Sequence, residues 1–162
     1  LNSLFNHRYY EPSLRTLPVP ALLIRQKSEA WDHPFIAVYE PYGNGAKSQI
    51  RSVYTSKTPK QKGVAKLSVE YFKKDKMDHI IHSVNEKTEA KYMGIRFMGT
   101  YCVVTMEKGR LVSLYIGNGY SFSMDGLEVT LGEGKPFDAW LEWRDGEWIC
   151  HSREAVKIKM MK

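Results

Sequence analysis

The stretch Tyr101–His151, YCVVTMEKGRLVSLYIGNGYSFSMDGLEVTLGEGKPFDAWLEWRDGEWICH, decides the fold. Its apolar and polar residues alternate within short segments: Tyr101–Met106, Leu111–Ile116, Tyr120–Met124, Leu127–Leu131, Phe137–Trp143 and Glu147–His151. Lys108-Gly109, Gly117-Asn-Gly119, Asp125-Gly126, Gly132-Glu-Gly134 and Asp145-Gly146 fall between them. Asp-Gly favours the positive φ values that two-residue hairpins demand. Strands punctuated at this spacing predict an all-β domain, an antiparallel β-sandwich of about 10–12 strands. Alternation alone does not report sheet closure, so a closed lipocalin-like barrel is the alternative.

The same rhythm extends outward. Leu67, Val69 and Tyr71 alternate with Lys66, Ser68 and Glu70, the mark of a half-buried strand. At the other end Val156, Ile158 and Met160 alternate with Lys157 and Lys159. Toward the N-terminus, Ala21–Arg25, Phe35–Glu40 and Gln49–Tyr54 read as short strands, and Thr55–Gly63 as an exposed basic loop. The uninterrupted apolar run Phe35–Tyr39 is expected to be a buried central strand, secured by a turn over Arg25–His33. Residues 1–19 are polar, aromatic and proline-containing, and read as an irregular entering segment. No composition shift divides the chain, so residues 1–162 are expected to form one domain. A start at Leu1 rather than Met suggests a mature product or a fragment of a larger chain.

Charge and motifs narrow the function. The 24 Lys and Arg against 18 Asp and Glu give a net charge of +6, which attracts polyanions. No helix-turn-helix, zinc-finger, RRM or KH signature is present, which argues against nucleic acid. No run of apolar residues is long enough for a membrane-spanning helix. Cys102 and Cys150 are isolated, without metal-ligand spacing. Buried free thiols are expected, with one disulfide between them left open. His79 and His82 lie an odd number of positions apart on a predicted strand, so they point to opposite faces and share no metal. Trp140 and Trp143 diverge for the same reason. Phe137, Ala139, Leu141 and Trp143 are assigned to the core, whereas Trp140 faces outward with Asp138 and Glu142, where an indole can stack on a sugar ring.

Two stretches carry a family resemblance. The order Pro20-Ala-Leu-Leu-Ile-Arg25-Gln26, Glu29-Ala-Trp31, Pro34-Phe-Ile-Ala-Val-Tyr-Glu-Pro41 and Ile50-Arg-Ser-Val53, followed by Glu107-Lys-Gly-Arg-Leu-Val-Ser-Leu-Tyr115, resembles the β-rich C-terminal region of heparinase II/III-like polysaccharide lyases. The resemblance implies an N-terminal helical toroid carrying the substrate cleft, cleavage of uronate polysaccharides by β-elimination, and export to the periplasm or beyond. It places the catalytic Tyr, the His and the metal ligands upstream, and none of these can be matched here. The chain is therefore expected to be a non-catalytic accessory domain. Its expected partners are the missing N-terminal catalytic domain and acidic polysaccharide, with no cofactor and no metal. Candidate substrate contacts are Arg25, Glu29, Trp31, His33, Tyr42 and Trp140. The alternatives are an independent carbohydrate-binding module, a stand-alone lyase drawing on residue types such as Arg25, His33, Tyr39, Tyr42 and Asn44 for proton transfer and charge stabilisation, and a small-molecule-binding barrel.

Overall fold

The computed structural model describes residues 36–40, 47–55, 61–73, 75–132 and 134–160. These residues form ten strands: β1 (Ile50–Thr55), β2 (Val64–Tyr71), β3 (Lys76–Ser83), β4 (Glu89–Tyr92), β5 (Ile95–Glu107), β6 (Arg110–Met124), β7 (Leu127–Thr130), β8 (Phe137–Arg144), β9 (Glu147–His151) and β10 (Lys157–Met160). All pairings are antiparallel.

The hairpin β5–β6 organises everything else. Its turn, Lys108-Gly109, has φ of 50° and 72°. Asp125-Gly126 and Asp145-Gly146 turn the same way, joining β6 to β7 and β8 to β9. Positive φ at both central residues matches the turn's twist to that of the strands. Both long strands take different partners along their length. The C-terminal part of β5 pairs with β3, and its first residues pair with β4. The first part of β6 pairs with β8, and its last residues pair with β7. One layer is therefore β1-β2-β3-β5-β6-β8-β9, and the other is β4-β5-β6-β7-β10. The sheet is not closed into a barrel, and the arrangement is that of a sandwich.

The core lies between the layers. From the first come Ile81, Cys102, Val104, Leu114, Ile116, Phe137, Ala139 and Leu141; from the second, Ala90, Ile95, Phe97, Phe122, Met124, Leu127 and Val129. Burying each large side chain contributes about 1.5–3 kcal/mol.

Gly117-Asn-Gly119 is not the turn expected between two strands. It is a bulge inside the continuous strand β6, where the pairing with β8 breaks between Ile116 and Gly119. Gly119 pairs with Gly99 of β5, where the pairing of β5 with β6 also shifts. A Cβ on Gly99 would lie 2.6 Å from the Gly119 Cα, and one on Gly119 would lie 2.2 Å from the Ile116 Cγ2. Only glycines permit this approach, and a bulge is what bends a strand from one layer into the next.

Three further expectations are corrected. Ile36–Glu40, the described part of the predicted central strand, is not a strand, and Tyr39 is 88% exposed. An apolar run without periodicity does not specify pairing, and flanking prolines remove ladder donors. Glu40 instead accepts hydrogen bonds from Ser48 Oγ (2.6 Å) and the Ile50 N–H (3.2 Å) at the start of β1.

In β2, Lys66 and Ser68 face the inner side, paired with Ile81 and His79, while Leu67 and Val69 are buried on the other face, outside the main core. The strand is thus covered on both sides rather than half-buried.

Trp143 is 45% exposed rather than core. The second layer stops covering β8 after Leu141, which leaves Trp143 packed edge-on against Trp148, its neighbour across the strand pair.

Candidate functional site

The outer face of the first layer carries an aromatic band. Tyr115, Trp140 and His151 are direct cross-strand partners on β6, β8 and β9. His82 and Tyr101 are partners on β3 and β5, one register step away. Glycine bridges that step. Tyr101 faces Gly117 across the ladder, and because Gly117 has no side chain, the Tyr115 ring lies over it. A Cβ there would sit 3.6 Å from Tyr115 Cε1 and 3.7 Å from Tyr101 Cβ. The two tyrosine rings meet at 6.1 Å, and His82 meets Tyr101 at 6.5 Å. Five rings thus cross five neighbouring strands, a span of roughly 19 Å at ~4.8 Å per strand.

The rings are not coplanar: His82, Tyr101 and Tyr115 meet edge-on at 61° and 65°, and only Trp140 and His151 lie face to face. Trp140 stacks on His151 at 4.8 Å and 21°, and its Nε1–H donates to Ser113 Oγ at 3.2 Å. Glu142 lies 3.4 Å from His151 Nε2 and accepts from Arg144 at 2.9 Å. Burial pushes the Tyr101 phenol up, keeping its hydroxyl protonated as a donor. Directly beneath lies the row Ile81, Cys102, Ile116 and Ala139, almost wholly buried. At the margin, Glu86 accepts from Tyr120 Oη (2.9 Å) and Asn118 Nδ2 (2.6 Å), tying the β3–β4 turn to the bulge. The Tyr120 hydroxyl, and then Asn118, hold the Glu86 carboxyl below the usual range.

A second feature is a cleft of about 920 Å³ at the open flank of the inner face, lined by Tyr54, Ser68, Glu70, Tyr92 and Arg96 among others. Ser68 Oγ is hydrogen-bonded both to His79 Nδ1 and to Tyr92 Oη, each at 2.7 Å. Ser68 is 2% exposed, so this chain satisfies buried polar atoms rather than presenting a nucleophile. Burial lowers the His79 pKa and keeps the ring neutral. Glu70 accepts from Tyr54, Ser52 and Arg51, and the Tyr54 hydroxyl contributes most to holding its carboxyl low.

Of the residues proposed from sequence, Arg25, Glu29, Trp31, His33 and Tyr42 lie outside the described residues, as does Asn44. Trp140 stands in the band, between Tyr115 and His151. Sequence reasoning missed Tyr101, Tyr115, His82 and His151 as its companions, because their alignment depends on strand register. His79 and His82 do face opposite sides: one is buried inward and the other lies in the band. Cys102 and Cys150 are both free. Two strands separate β5 from β9, about 14 Å at the usual spacing, beyond disulfide reach.

The fold is thus an antiparallel β-sandwich with a row of aromatic rings on one outer face, and comparisons with known proteins give its family. Residues 50–142, more than half of the chain, match the family of endo-acting ulvan lyase C-terminal domains, and the chain belongs to that family. An endo-acting ulvan lyase of Formosa agariphila is 36% identical over 110 residues, covering 63% of this chain and 13% of that protein. The chain thus spans a small part of its relative's length. No solved structure matches it.

Proposed function

We propose that the chain is a non-catalytic accessory domain of a polysaccharide lyase of the heparinase II/III-like kind, and that it holds acidic polysaccharide on the aromatic band. The observation that carries this is the band itself: five rings on one sheet face, with Trp140 locked between Tyr115 and His151. Sugar C–H faces stack on such rings, and hydroxyls reach the Tyr101 and Tyr115 phenols at their edges. The net charge of +6 draws an anionic polymer to the surface. Ulvan is the leading polymer, because the Formosa agariphila relative is named for it. Family membership and the small share of the relative that this chain covers support a catalytic domain elsewhere in the parent protein. The order of residues in Pro20–Val53 supports the heparinase-like frame, which implies a periplasmic or secreted enzyme.

The test is calorimetric titration of the 162-residue chain with ulvan, heparan sulfate, alginate and hyaluronan fragments at low and physiological salt. Saturable binding that survives physiological salt and falls about tenfold in Trp140→Ala is expected, since one stacking contact is worth ~1–1.5 kcal/mol. Binding that vanishes with salt would reflect net charge alone. Affinity unchanged in Trp140→Ala would refute the band as the site.

A further inference from the structure

A second cleft, of about 800 Å³, lies where the β5–β6 and β6–β7 turns meet β8, β9 and β10. Trp143 and Trp148 line it, their rings edge-on at 5.5 Å and 68°. Trp148 packs on the core, whereas Trp143 and Met160 keep 45% and 57% of their surface exposed. Lys108 and Arg110 stand at the same cleft, and among the described residues neither side chain is held in an ion pair. Glu107 and Asp125 also line it, offering acceptors. Odd spacing puts Trp143 on the face opposite Trp140, so this cleft does not continue the aromatic band.

We propose that the Trp143–Trp148 cleft is a separate binding site for a short acidic oligosaccharide. The exposed Trp143 indole receives the C–H face of a sugar ring. The Arg110 guanidinium, aided by Lys108, takes its carboxylate or sulfate in a charge-assisted, forked hydrogen bond. Glu107 and Asp125 accept from hydroxyls, which favours a polyhydroxylated ligand over a purely apolar one. The volume falls within the ~300–1,000 Å³ of small-molecule sites. An aromatic corner, an available guanidinium and nearby acceptors meet at one opening of the fold. The proposal rests on the polysaccharide reading of the domain but on different residues, of which Trp143, Trp148 and Met160 lie beyond the end of the matched span.

The experiment titrates the full chain with size-defined ulvan tetrasaccharides, using cellotetraose as the uncharged control. Wild type, Trp143→Ala, Arg110→Gln and Trp140→Ala are compared at physiological salt, each checked by near-ultraviolet circular dichroism and melting. Two sites per chain are expected. Trp143→Ala removes one of them, Arg110→Gln weakens that same site about tenfold, and Trp140→Ala leaves it intact. Cellotetraose binds the cleft at least tenfold more weakly. Arg110→Gln sits beside a solvated turn and carries the test should Trp143→Ala misfold. Trp143→Ala and Arg110→Gln titrations that superimpose on wild type overturn the cleft while leaving the band to stand or fall with Trp140→Ala. A single site lost in Trp143→Ala and untouched in Trp140→Ala keeps the cleft and overturns the band. No binding by wild type overturns both.

Discussion

Replacing Gly99 with alanine tests the joint between the two layers. The added Cβ would lie 2.5 Å from the Phe97 ring, 2.6 Å from the Gly119 Cα and 2.9 Å from the Asn118 carbonyl oxygen. Two of these are backbone atoms, and the ring belongs to a side chain that is 1% exposed, so none can step aside cheaply. Overpacking of a tight core costs ~1–3 kcal/mol, and parting the Gly99–Gly119 pair places the cost at the upper end or above, about 3 kcal/mol. At roughly 2–4 °C per kcal/mol for a chain of this size, the midpoint should drop by about 6–12 °C. Gly117→Ala is the matched control. It lies in the same bulge, yet its nearest neighbours would be 3.6–3.8 Å away, ordinary contact. Its melting point should stay within ~2–4 °C of the parent. Thermal melting followed by circular dichroism reads both. A Gly99→Ala protein melting as high as Gly117→Ala would refute the claim that close backbone approach fixes the bend.

Other consequences are equally direct. Tyr115→Ala should weaken polysaccharide binding several-fold while leaving the melting point close to the parent, as calorimetry and melting together will show; the ring is 46% exposed and covers only Gly117 and its neighbours. Burial depresses the His79 pKa from its ordinary 6.5, so the unfolded chain binds the proton first. Stability from this group is therefore present above pH 6.5 and is lost as pH falls toward the depressed value. His79→Gln should flatten that decline in melting point as the pH falls below 6.5. Thiol titration should label Cys150 in the native chain slowly and Cys102 only on unfolding, because Cys102 is fully buried and burial pushes both thiols up. Rapid native labelling of both would contradict the packing.

Much of the fold could be read directly. Asp125-Gly126 and Asp145-Gly146 announced their hairpins because glycine and aspartate tolerate positive φ, and Lys108-Gly109 because it parts two alternating apolar segments. The hairpin at Met93-Gly94, with φ of 49° and 82°, did not, because methionine carries no such signal. The aromatic band was hidden by one residue of register. A Lys108-Gly109 turn with regular pairing would set Tyr101 opposite Ile116. An irregularity between Thr105 and Met106 shifts it to Gly117, which puts Tyr101 and Tyr115 on one face. A bulge of this kind depends on tertiary bending and has no local composition. Trp143 was misassigned because alternation reports which face a side chain takes, not where the opposing layer ends. Trp140 was legible because the acidic residues beside it, Asp138 and Glu142, marked its face as solvated.

The long hairpin has a consequence for how the molecule comes apart. Because β5 and β6 run through both layers, neither layer is complete without strands that belong to the other. The sandwich cannot shear open as two independent slabs, and local opening is left to the short outer strands such as β1, β9 and β10. Most of the aromatic band stands on these shared strands and their direct neighbours. If the band holds a polymer as proposed, a tug on it falls on strands that both layers share, and letting go would require the sandwich as a whole to open.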